Sequence, residues 1–159
     1  MSNAVNKSKP FVRDSTIEDC VYLAQNMRQE DIQEVFYAAS HGPLESLSAS
    51  LEMSQQCHTI EWNGRVVAMF GCAAVHAGLG IPWMLATDDL KRIQKSFLRE
   101  AKDYFQAMQD AHGYLTNYVW AENYVHIKWL RWMGVTFDPP EPYGTHGELF
   151  MRFHRGTYV

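Results

Sequence analysis

The sequence predicts one α/β domain, in which helices cover both faces of a mixed, mostly antiparallel sheet. The length of 159 residues suits a single domain with one core. A composition of 47% hydrophobic and 20% charged residues is typical of a globular protein. Strand-like and helix-like segments follow one another in the order β-α-α-β-β-β-α-β-α-β-β, which places the chain in the α/β (α+β) class.

Composition also excludes several function classes. A formal net charge of -4 does not favour binding to nucleic acid or to anionic membranes through bulk electrostatics. No apolar run approaches the roughly 20 residues that span a bilayer, and the first residues lack the apolar stretch of a signal peptide. Cys20, Cys57 and Cys72 are widely spaced, which predicts small core residues in a reducing compartment such as a cytoplasm.

The N-terminal segment is predicted to lie outside the domain. Residues 1–10 are polar and end in proline, which indicates a flexible tail or an expression remnant. The predicted domain therefore covers residues 11–159, and its first strand is Phe11–Arg13.

A long helical segment follows the first strand. Ser15 and Glu18 have the spacing of a capping box, in which each side chain satisfies the free backbone N–H of the other. The predicted buried positions of this helix have helical spacing: Ile17, Val21, Ala24 and Met27. The helix is expected to run, with a bend, to about Ala39, and a second helix spans roughly residues 44–55.

A β-hairpin is the clearest local signal in the chain. Two strand-like runs, Cys57–Trp62 and Arg65–Cys72, are joined by Asn63-Gly64, a pair that tolerates the positive φ of a type I′ turn. Another strand follows at Ile81–Ala86. Pro82 would forfeit a ladder hydrogen bond there, so it predicts an edge position or a bulge.

The longest helix begins after this strand, with Thr87 as its predicted cap and Asp88 and Asp89 in its first turn. Its apolar positions define one face: Leu90, Ile93, Phe97, Ala101, Tyr104 and Met108. The remaining predicted elements are a strand at Leu115–Trp120, a helix at Asn123–Met133 closed by Gly134, and strands at Val135–Phe137 and Glu148–His154, with a Pro/Gly-rich loop between the last two.

Two stretches of sequence, together with the order of elements, resemble the GNAT acyltransferase superfamily. Residues 11–20 (FVRDSTIEDC) are similar to the opening strand and capped helix of these enzymes. Residues 117–137 (NYVWAENYVHIKWLRWMGVTF) resemble their second coenzyme A motif. In that motif, Asn123 matches the Asn at the start of the helix, and Gly134 and Val135 match the Gly-Phe pair that follows. The resemblance implies a GNAT-like fold.

The same segment, residues 117–137, also resembles a small GNAT-like family of short-tailed phages, known as internal virion protein A. The shared pattern N-Y-V-W-x-x-N-x-x-H-I-x-[WF]-L-x-x-x-G-[AV]-x-F runs from Asn117 to Phe137. The resemblance implies a bacteriophage protein with a role in virion assembly or structure. It also implies other phage virion proteins or host proteins as partners, and the host cytoplasm or the virion as location.

The phosphate-binding loop of GNAT enzymes is altered in this chain. The family pattern, [Gln/Arg]-x-x-Gly-x-[Gly/Ala], holds the coenzyme A pyrophosphate on backbone N–H groups at the start of the long helix. Aligned on that helix, Asp89 takes the place of the Arg, and Arg92 and Gln94 take the two small positions. Residues 87–100 contain neither Gly nor Ala. These substitutions predict a crowded, acidic loop and a degenerate coenzyme A site.

Two interpretations of this loop stay open. Asp88 and Asp89 compensate the dipole of the helix, as acids in a first turn commonly do. Alternatively, Lys91, Arg92 and Lys95 restore phosphate binding by direct charge pairing.

Catalytic candidates are few. The resemblance places Leu130 where GNAT enzymes have a Tyr that protonates the departing thiolate, and Leu has no proton to give. Glu122 and His126 are the best-placed groups for acid–base chemistry, and a structural role for His126 is the competing interpretation. Asn123 fits either the family motif or a plain N-cap. The scattered His residues lack zinc-ligand spacing, so no metal site is expected.

Coenzyme A would bind in these folds between two splayed strands, here Ile81–Leu85 and Leu115–Trp120, chiefly through backbone groups. The candidate cofactor-binding residues are Trp83, Met84, Leu85 and Asn123. Three functional hypotheses follow: an assembly protein of the virion with no cofactor, a divergent N-acetyltransferase that uses acetyl-coenzyme A on a host protein or small molecule, and a module that binds a host enzyme.

Overall fold

The computed structural model describes residues 8–158. Five helices and eight strands form in this part of the chain. The helices are α1 (Ile17–Asn26), α2 (Gln29–Ala39), α3 (Pro43–Met53), α4 (Leu90–His112) and α5 (Tyr124–Trp132). The strands are β1 (Phe11–Asp14), β2 (Ser54–Trp62), β3 (Arg65–His76), β4 (Leu79–Ala86), β5 (Tyr114–Trp120), β6 (Thr136–Phe137), β7 (Glu141–Tyr143) and β8 (Glu148–Gly156).

The strands form one sheet in the order β1-β2-β3-β4-β5-β8-β6, with β7 also paired to β8. Every pairing between these strands is antiparallel except that of β4 with β5. The parallel pairing is short: Leu79 faces Tyr114 and Gly80 faces Leu115, and beyond these two positions β4 and β5 diverge. The predicted fold class is confirmed, and the sheet has an open seam between its two halves.

Helices cover both faces of the sheet, as the sequence predicts. The side chains of β3 alternate between the faces: Met69 packs in a core with α1, α2 and α3, and Phe70 packs in a core with α4 and α5. Helix α4 contributes its whole predicted apolar face to the second core. None of the helices among the described residues is both long enough and apolar enough to cross a membrane.

The predicted hairpin is confirmed at β2 and β3. Asn63 and Gly64 have φ values of 52° and 73°, the left-handed backbone that a type I′ turn requires. Both strands extend further from the turn than the sequence pattern indicated, because Ser54 pairs with Ala73 and the end of β3 pairs with β4.

The capping box of α1 is shifted by one residue from its predicted position. Thr16 and Asp19 form it, not Ser15 and Glu18: the Asp19 N–H donates to Thr16 Oγ1 at 3.3 Å, and the Thr16 N–H donates to Asp19 Oδ2 at 2.8 Å. The carboxylate of Asp19 also accepts two hydrogen bonds from Arg13, at 2.7 and 2.8 Å. This ion pair on β1 fixes which side of α1 faces the sheet.

The buried face of α1 differs from the predicted one for the same reason. Ile17 is 73% exposed and Val21 is 45% exposed, so the prediction that they are buried is wrong. Cys20 and Leu23 are buried in their place. The apolar pattern allowed both faces, and the buried Asp19 selects between them.

The predicted long N-terminal helix is two helices. Helix α1 ends at Asn26, and Met27 forms an isolated bridge with Thr87. The N–H of Arg28 then donates to the carbonyl of Ala86 at 2.9 Å before α2 begins. The expected bend is therefore a full break, because the chain pairs briefly with the end of β4.

Pro82 lies where β4 has lost its pairing with β5. In a strand, the N–H and C=O of one residue point to the same side, and the Pro82 carbonyl points towards β5. The missing N–H of Pro82 therefore faces the open seam and costs no ladder bond. The predicted edge position is wrong for the strand as a whole, because β4 lies between β3 and β5; Pro82 is tolerated because the strands diverge there.

The Pro/Gly-rich loop and the N-terminal segment have features that the sequence did not predict. The Pro/Gly-rich loop contains the short strand β7, which pairs with β8. Residues 1–7 of the predicted tail lie outside the described residues, and the Trp62 indole N–H donates to the Ser8 carbonyl at 2.9 Å.

We expect Gly80→Ala to destabilise the fold. A Cβ at Gly80, where β4 and β5 diverge, would lie 2.7 Å from Cys72 Sγ and 2.8 Å from Cγ of His112. Overpacking of this kind costs about 1–3 kcal/mol, measurable by urea denaturation. Gly42→Ala is the control, because a Cβ there meets no atom within 4 Å. Equal stability of the two variants would contradict the close packing at Gly80.

Candidate functional site

A cavity of about 260 Å³ opens in the seam between β4 and β5. Its walls are mostly apolar and aromatic. Trp83, Met84 and Leu85, predicted to bind the cofactor, line it, as do His126 and Leu130. Tyr118 of β5 and Tyr143 of β7 also line it, and their rings stack with centroids 3.8 Å apart. The cavity lies in the place where the resemblance to GNAT enzymes predicts the pantetheine arm of coenzyme A.

Helix α2 spans the open end of this seam with two carboxylates. Asp31 Oδ2 accepts a hydrogen bond from the N–H of Ala86 on β4 at 2.9 Å. Glu34 Oε1 accepts one from the N–H of Trp120 on β5 at 2.8 Å. The carboxylates thus satisfy backbone donors that the divergence of the strands leaves without a sheet partner. Side chains of α2 thus replace the backbone hydrogen bonds that β4 and β5 do not make with each other.

Asn117 spans the same seam nearer its closed end. Its Nδ2 donates to the carbonyl of Pro82 at 2.8 Å, and its Oδ1 accepts from the N–H of Tyr118 at 2.7 Å. The Asn117 side chain on β5 therefore donates a hydrogen bond to a backbone carbonyl of β4 that would otherwise face the cavity unpaired.

A buried guanidinium organises the polar groups at the open end. Arg28 is fully buried, and its Nη1 donates to Asp31 Oδ1 at 2.9 Å. Glu30 lies 3.5 Å from its Nη2. Because an unpaired buried charge is costly, this ion pair is essential to the local structure. We call Arg28, Asp31, Glu34, Asn123 and His126 the seam cluster.

Asn123 belongs to the seam cluster and does not act as a side-chain cap. It is fully buried at the start of α5, where its carbonyl accepts the N–H of Ile127 at 3.0 Å. Its side chain makes no capping hydrogen bond to α5. Instead, Nδ2 donates to Asp31 Oδ1 at 3.0 Å, and Oδ1 lies 3.4 Å from Arg28 Nη1. Asn123 thereby joins α5 to α2.

Glu34 and His126 form the part of the cluster that lines the cavity. His126 Nδ1 lies 3.9 Å from Glu34 Oε2, and His126 Nε2 lies 3.5 Å from Asp31 Oδ1, both too long for good hydrogen bonds. Burial raises the pKa of Glu34 to about 8, and the charge of Asp31 adds to the rise. Burial lowers the pKa of His126 despite the nearby Asp31 carboxylate. Near neutral pH, Glu34 is therefore largely protonated and His126 is uncharged.

The same groups have the composition of a metal site, but Asp31 is not free to act as a ligand. One ligand atom each from Asp31, Glu34 and His126 lie within 4.8 Å of one another. However, Asp31 Oδ1 already accepts hydrogen bonds from Arg28 and Asn123. The guanidinium at 2.9 Å would also repel a cation. This donor set does not fit a divalent metal ion.

The loop before α4 carries the acidic groups that the sequence indicates. The helix begins at Leu90, three residues after the predicted cap, and Thr87 Oγ1 accepts the Asp89 N–H at 3.3 Å. The Asp89 carboxylate pairs with Arg65 at 3.1 Å and with Arg92 at 3.4 Å. Arg92, one of the basic residues considered for phosphate binding, is thus paired with the acid beside it.

The remaining sequence-predicted site residue, Glu122, is exposed and does not line the cavity. Sequence reasoning did not identify Arg28, Asp31 and Glu34. Their spacing at i, i+3 and i+6 puts them on one side of α2 and its N-terminus, a signal that could have drawn attention. Which backbone groups they satisfy depends on the divergence of two strands far away in sequence.

Comparison with known proteins identifies the family. The family model described as Bacteriophage T7, probable scaffold protein Gp13, matches residues 56–140, more than half of the chain. The chain belongs to this Gp13 family. A relative, the probable scaffold protein gp13 of Escherichia phage T7, is 28% identical over 124 residues, which cover 73% of this chain and 85% of the relative.

Solved structures show that this Gp13-family chain has the GNAT fold. Ard1 from Thermoplasma volcanium matches with a TM-score of 0.71 and 14% identity, covering 96% of this chain and 100% of that one. A phosphinothricin acetyltransferase from Sinorhizobium meliloti, in complex with acetyl-coenzyme A, has a TM-score of 0.69 and 14% identity, covering 94% and 89%. An N-acetyltransferase from Staphylococcus aureus Mu50 has a TM-score of 0.67 and 12% identity, covering 94% and 99%. Identities this low establish the fold alone. The two predicted resemblances are both confirmed: the solved structures confirm the one to GNAT proteins, and the Gp13 family model confirms the one to a phage family.

We expect Asn123→Ala to destabilise this Gp13-family chain by about 1–3 kcal/mol, because Asp31 loses a buried hydrogen-bond donor and Arg28 loses a nearby acceptor. Urea denaturation measures the change. Glu122→Ala, one residue earlier and exposed, should stay within about 0.5 kcal/mol of the wild type. A loss in both variants alike would mean that the seam cluster is not the cause.

The stability of the protein should depend on the charge of Glu34. Its pKa rises from an ordinary 4.5 to about 8 on folding, so the folded state holds an extra proton between these values. This contribution to the free energy of unfolding therefore falls as pH rises from about 4.5 to about 8, by up to about 1.4 kcal/mol per pH unit. Glu34→Gln lacks this titration and should gain stability relative to the wild type between pH 5 and pH 8, as measured by urea denaturation. A constant difference over that range would contradict the raised pKa.

Proposed function

We propose that this chain acts in bacteriophage virion assembly as a non-catalytic, scaffold-type protein, and that its coenzyme A site is degenerate. Its membership of the Gp13 family supports the first part, since the T7 relative is described as a probable scaffold protein. The bridging of the seam by side chains of the chain itself supports the second part. The expected partners are other phage virion proteins or host proteins, in the host cytoplasm or in the virion.

The observation that carries the second part is the occupation of the seam's backbone groups. A pantetheine arm between splayed strands depends on free backbone donors and acceptors there. Ala86, Trp120 and Pro82 already have side-chain partners in Asp31, Glu34 and Asn117. A ligand that took these groups would leave polar side chains buried without partners, at about 1–3 kcal/mol each.

Charge at the entrance to α4 adds to this cost. Pyrophosphate binding at a helix N-terminus depends on free N–H groups and a positive local potential. Here Asp88 and Asp89 precede the helix, and the Asp89 carboxylate forms ion pairs with Arg65 and Arg92. An anionic cofactor would have to displace a carboxylate that is already well placed.

The catalytic groups that an acyltransferase requires are also weak here. Leu130 lines the cavity at the position of the family's Tyr, and its side chain has no ionisable proton. Glu34, the carboxyl group nearest the cavity, has a pKa raised to about 8 and is a poor base at neutral pH.

A divergent N-acetyltransferase is the second candidate function. The cavity, with His126 uncharged at its inner wall, favours it, because a neutral imidazole can accept a proton from an amine. On this alternative, acetyl-coenzyme A is the cofactor, and a host protein or small molecule is the acceptor.

Titration with acetyl-coenzyme A and complementation of a phage separate the two functions. A micromolar site would stabilise the protein by about 4 kcal/mol at 1,000 times its Kd, so a thermal melt in millimolar acetyl-coenzyme A would show it clearly. We expect no shift. A clear shift that Asn123→Ala abolishes would favour the acyltransferase.

In infection, a phage that lacks the gene should yield incomplete or non-infectious particles, and wild-type protein supplied from a plasmid should restore them. Glu34→Gln resembles the protonated side chain and should restore them equally. Normal particles without the gene would overturn the assembly role, and failure of a folded Glu34→Gln protein would indicate chemistry at the cavity.

A further inference from the structure

The two helical layers carry charge of opposite sign. Helices α1, α2 and α3 and their connections, residues 17–53, contain seven Asp and Glu and a single Lys or Arg, the buried Arg28. Helices α4 and α5 contain seven Lys and Arg and three Asp and Glu. Because these layers lie on opposite faces of the sheet, the molecule has an acidic face and a basic face.

The acidic face has accessible and largely unpaired charge. Glu18, Glu45 and Glu52 are exposed. In the described part of the chain, Glu18 and Glu52 make no ion pair, and Glu45 lies 3.6 Å from His41. Asp19 and Asp31 are buried and paired within the fold, so they do not contribute to the surface.

The basic face also has exposed charged side chains that form no ion pair within the described residues. Lys91, Lys95 and Arg99 recur every four residues and form one exposed row along α4. Lys128 is exposed on α5, the helix beside it. Within residues 8–158, none of these four side chains forms an ion pair.

Exposed apolar side chains accompany the charges on both faces. On the acidic face, Ile17 is 73% exposed and Val21, one turn later, is 45% exposed. On the basic face, Tyr124 is 71% exposed and Trp132 is 48% exposed, with the Lys102 ammonium 4.0 Å from the Trp132 ring centre. Exposed large apolar side chains on a charged surface are typical of protein interfaces.

We propose that the chain self-associates head to tail, with the basic face of one copy docked on the acidic face of the next. Charge complementarity selects a second copy as the partner, because the same molecule presents a surface of opposite sign. The contact joins two different surfaces, so it propagates into a ring or an open chain, unlike a two-fold contact. The inference goes beyond the proposed assembly role and does not depend on it.

A polyanion such as nucleic acid is the competing partner for the basic face. Glu100, Asp103 and Asp110 lie on α4 among the basic residues and are exposed. They would repel phosphates, and the whole chain carries a net charge of -4. These features favour a protein partner with mixed charge.

Charge reversal on each face separately tests the proposal. The first variant carries Lys95→Glu, Arg99→Glu and Lys128→Glu, and the second carries Glu18→Lys, Glu45→Lys and Glu52→Lys. Sedimentation velocity should show concentration-dependent association of the wild type, and each variant alone should be monomeric. An equimolar mixture of the two should associate again, because the untouched acidic face of the first meets the untouched basic face of the second.

Salt and a control variant complete the test. Raising salt from about 0.1 M to about 1 M shortens the Debye length from about 10 Å to about 3 Å and should weaken association at least about tenfold. Glu141→Lys, exposed on β7 outside both faces, should associate like the wild type. Circular dichroism verifies that every variant is folded. A monomeric wild type at all concentrations, a mixture that stays monomeric, or binding of duplex DNA in place of self-association would overturn the proposal.

Discussion

The buried ion pair between Arg28 and Asp31 is the constraint on which the arrangement of the seam depends. Neither group is accessible to water, so each requires the other, and removal of one partner from such a pair costs about 3–5 kcal/mol. Through Asp31 the pair holds the end of β4, and through Asn123 it holds the start of α5. The break between α1 and α2 brings Arg28 to this place, because the backbone N–H of Arg28 leaves the helix and donates to the carbonyl of Ala86.

This constraint connects the fold to its proposed loss of chemistry. A GNAT fold has two strands that part, and their free backbone groups can serve either a ligand or the protein. In this chain, Asp31, Glu34 and Asn117 make hydrogen bonds to three of these backbone groups, so those three groups do not depend on a ligand. On the proposed function, the surfaces outside the seam, with their opposite charges, are the parts of the molecule that act on partners.

Much of the fold could be predicted from local sequence, and the seam cluster could not. Asn63-Gly64 determines its own turn, and the apolar spacing from Leu90 to Met108 determines which face of α4 is buried. The face of α1 was predicted wrongly, because the decisive contact, Arg13 with Asp19, joins a strand to a helix. Asp31 and Glu34 look like ordinary surface acids until α2 is placed over strands more than fifty residues away in sequence.

The short parallel pairing of β4 with β5 has a mechanical consequence. Within the sheet itself, two backbone-paired residue pairs and a set of side-chain bridges join the half that contains β1–β4 to the half that contains β5–β8. Such a joint separates at lower free energy than a continuous ladder, so transient opening concentrates along this line and not within either half. The backbone amides of Ala86 and Trp120 lie on that line, and their exchange with solvent reports each opening.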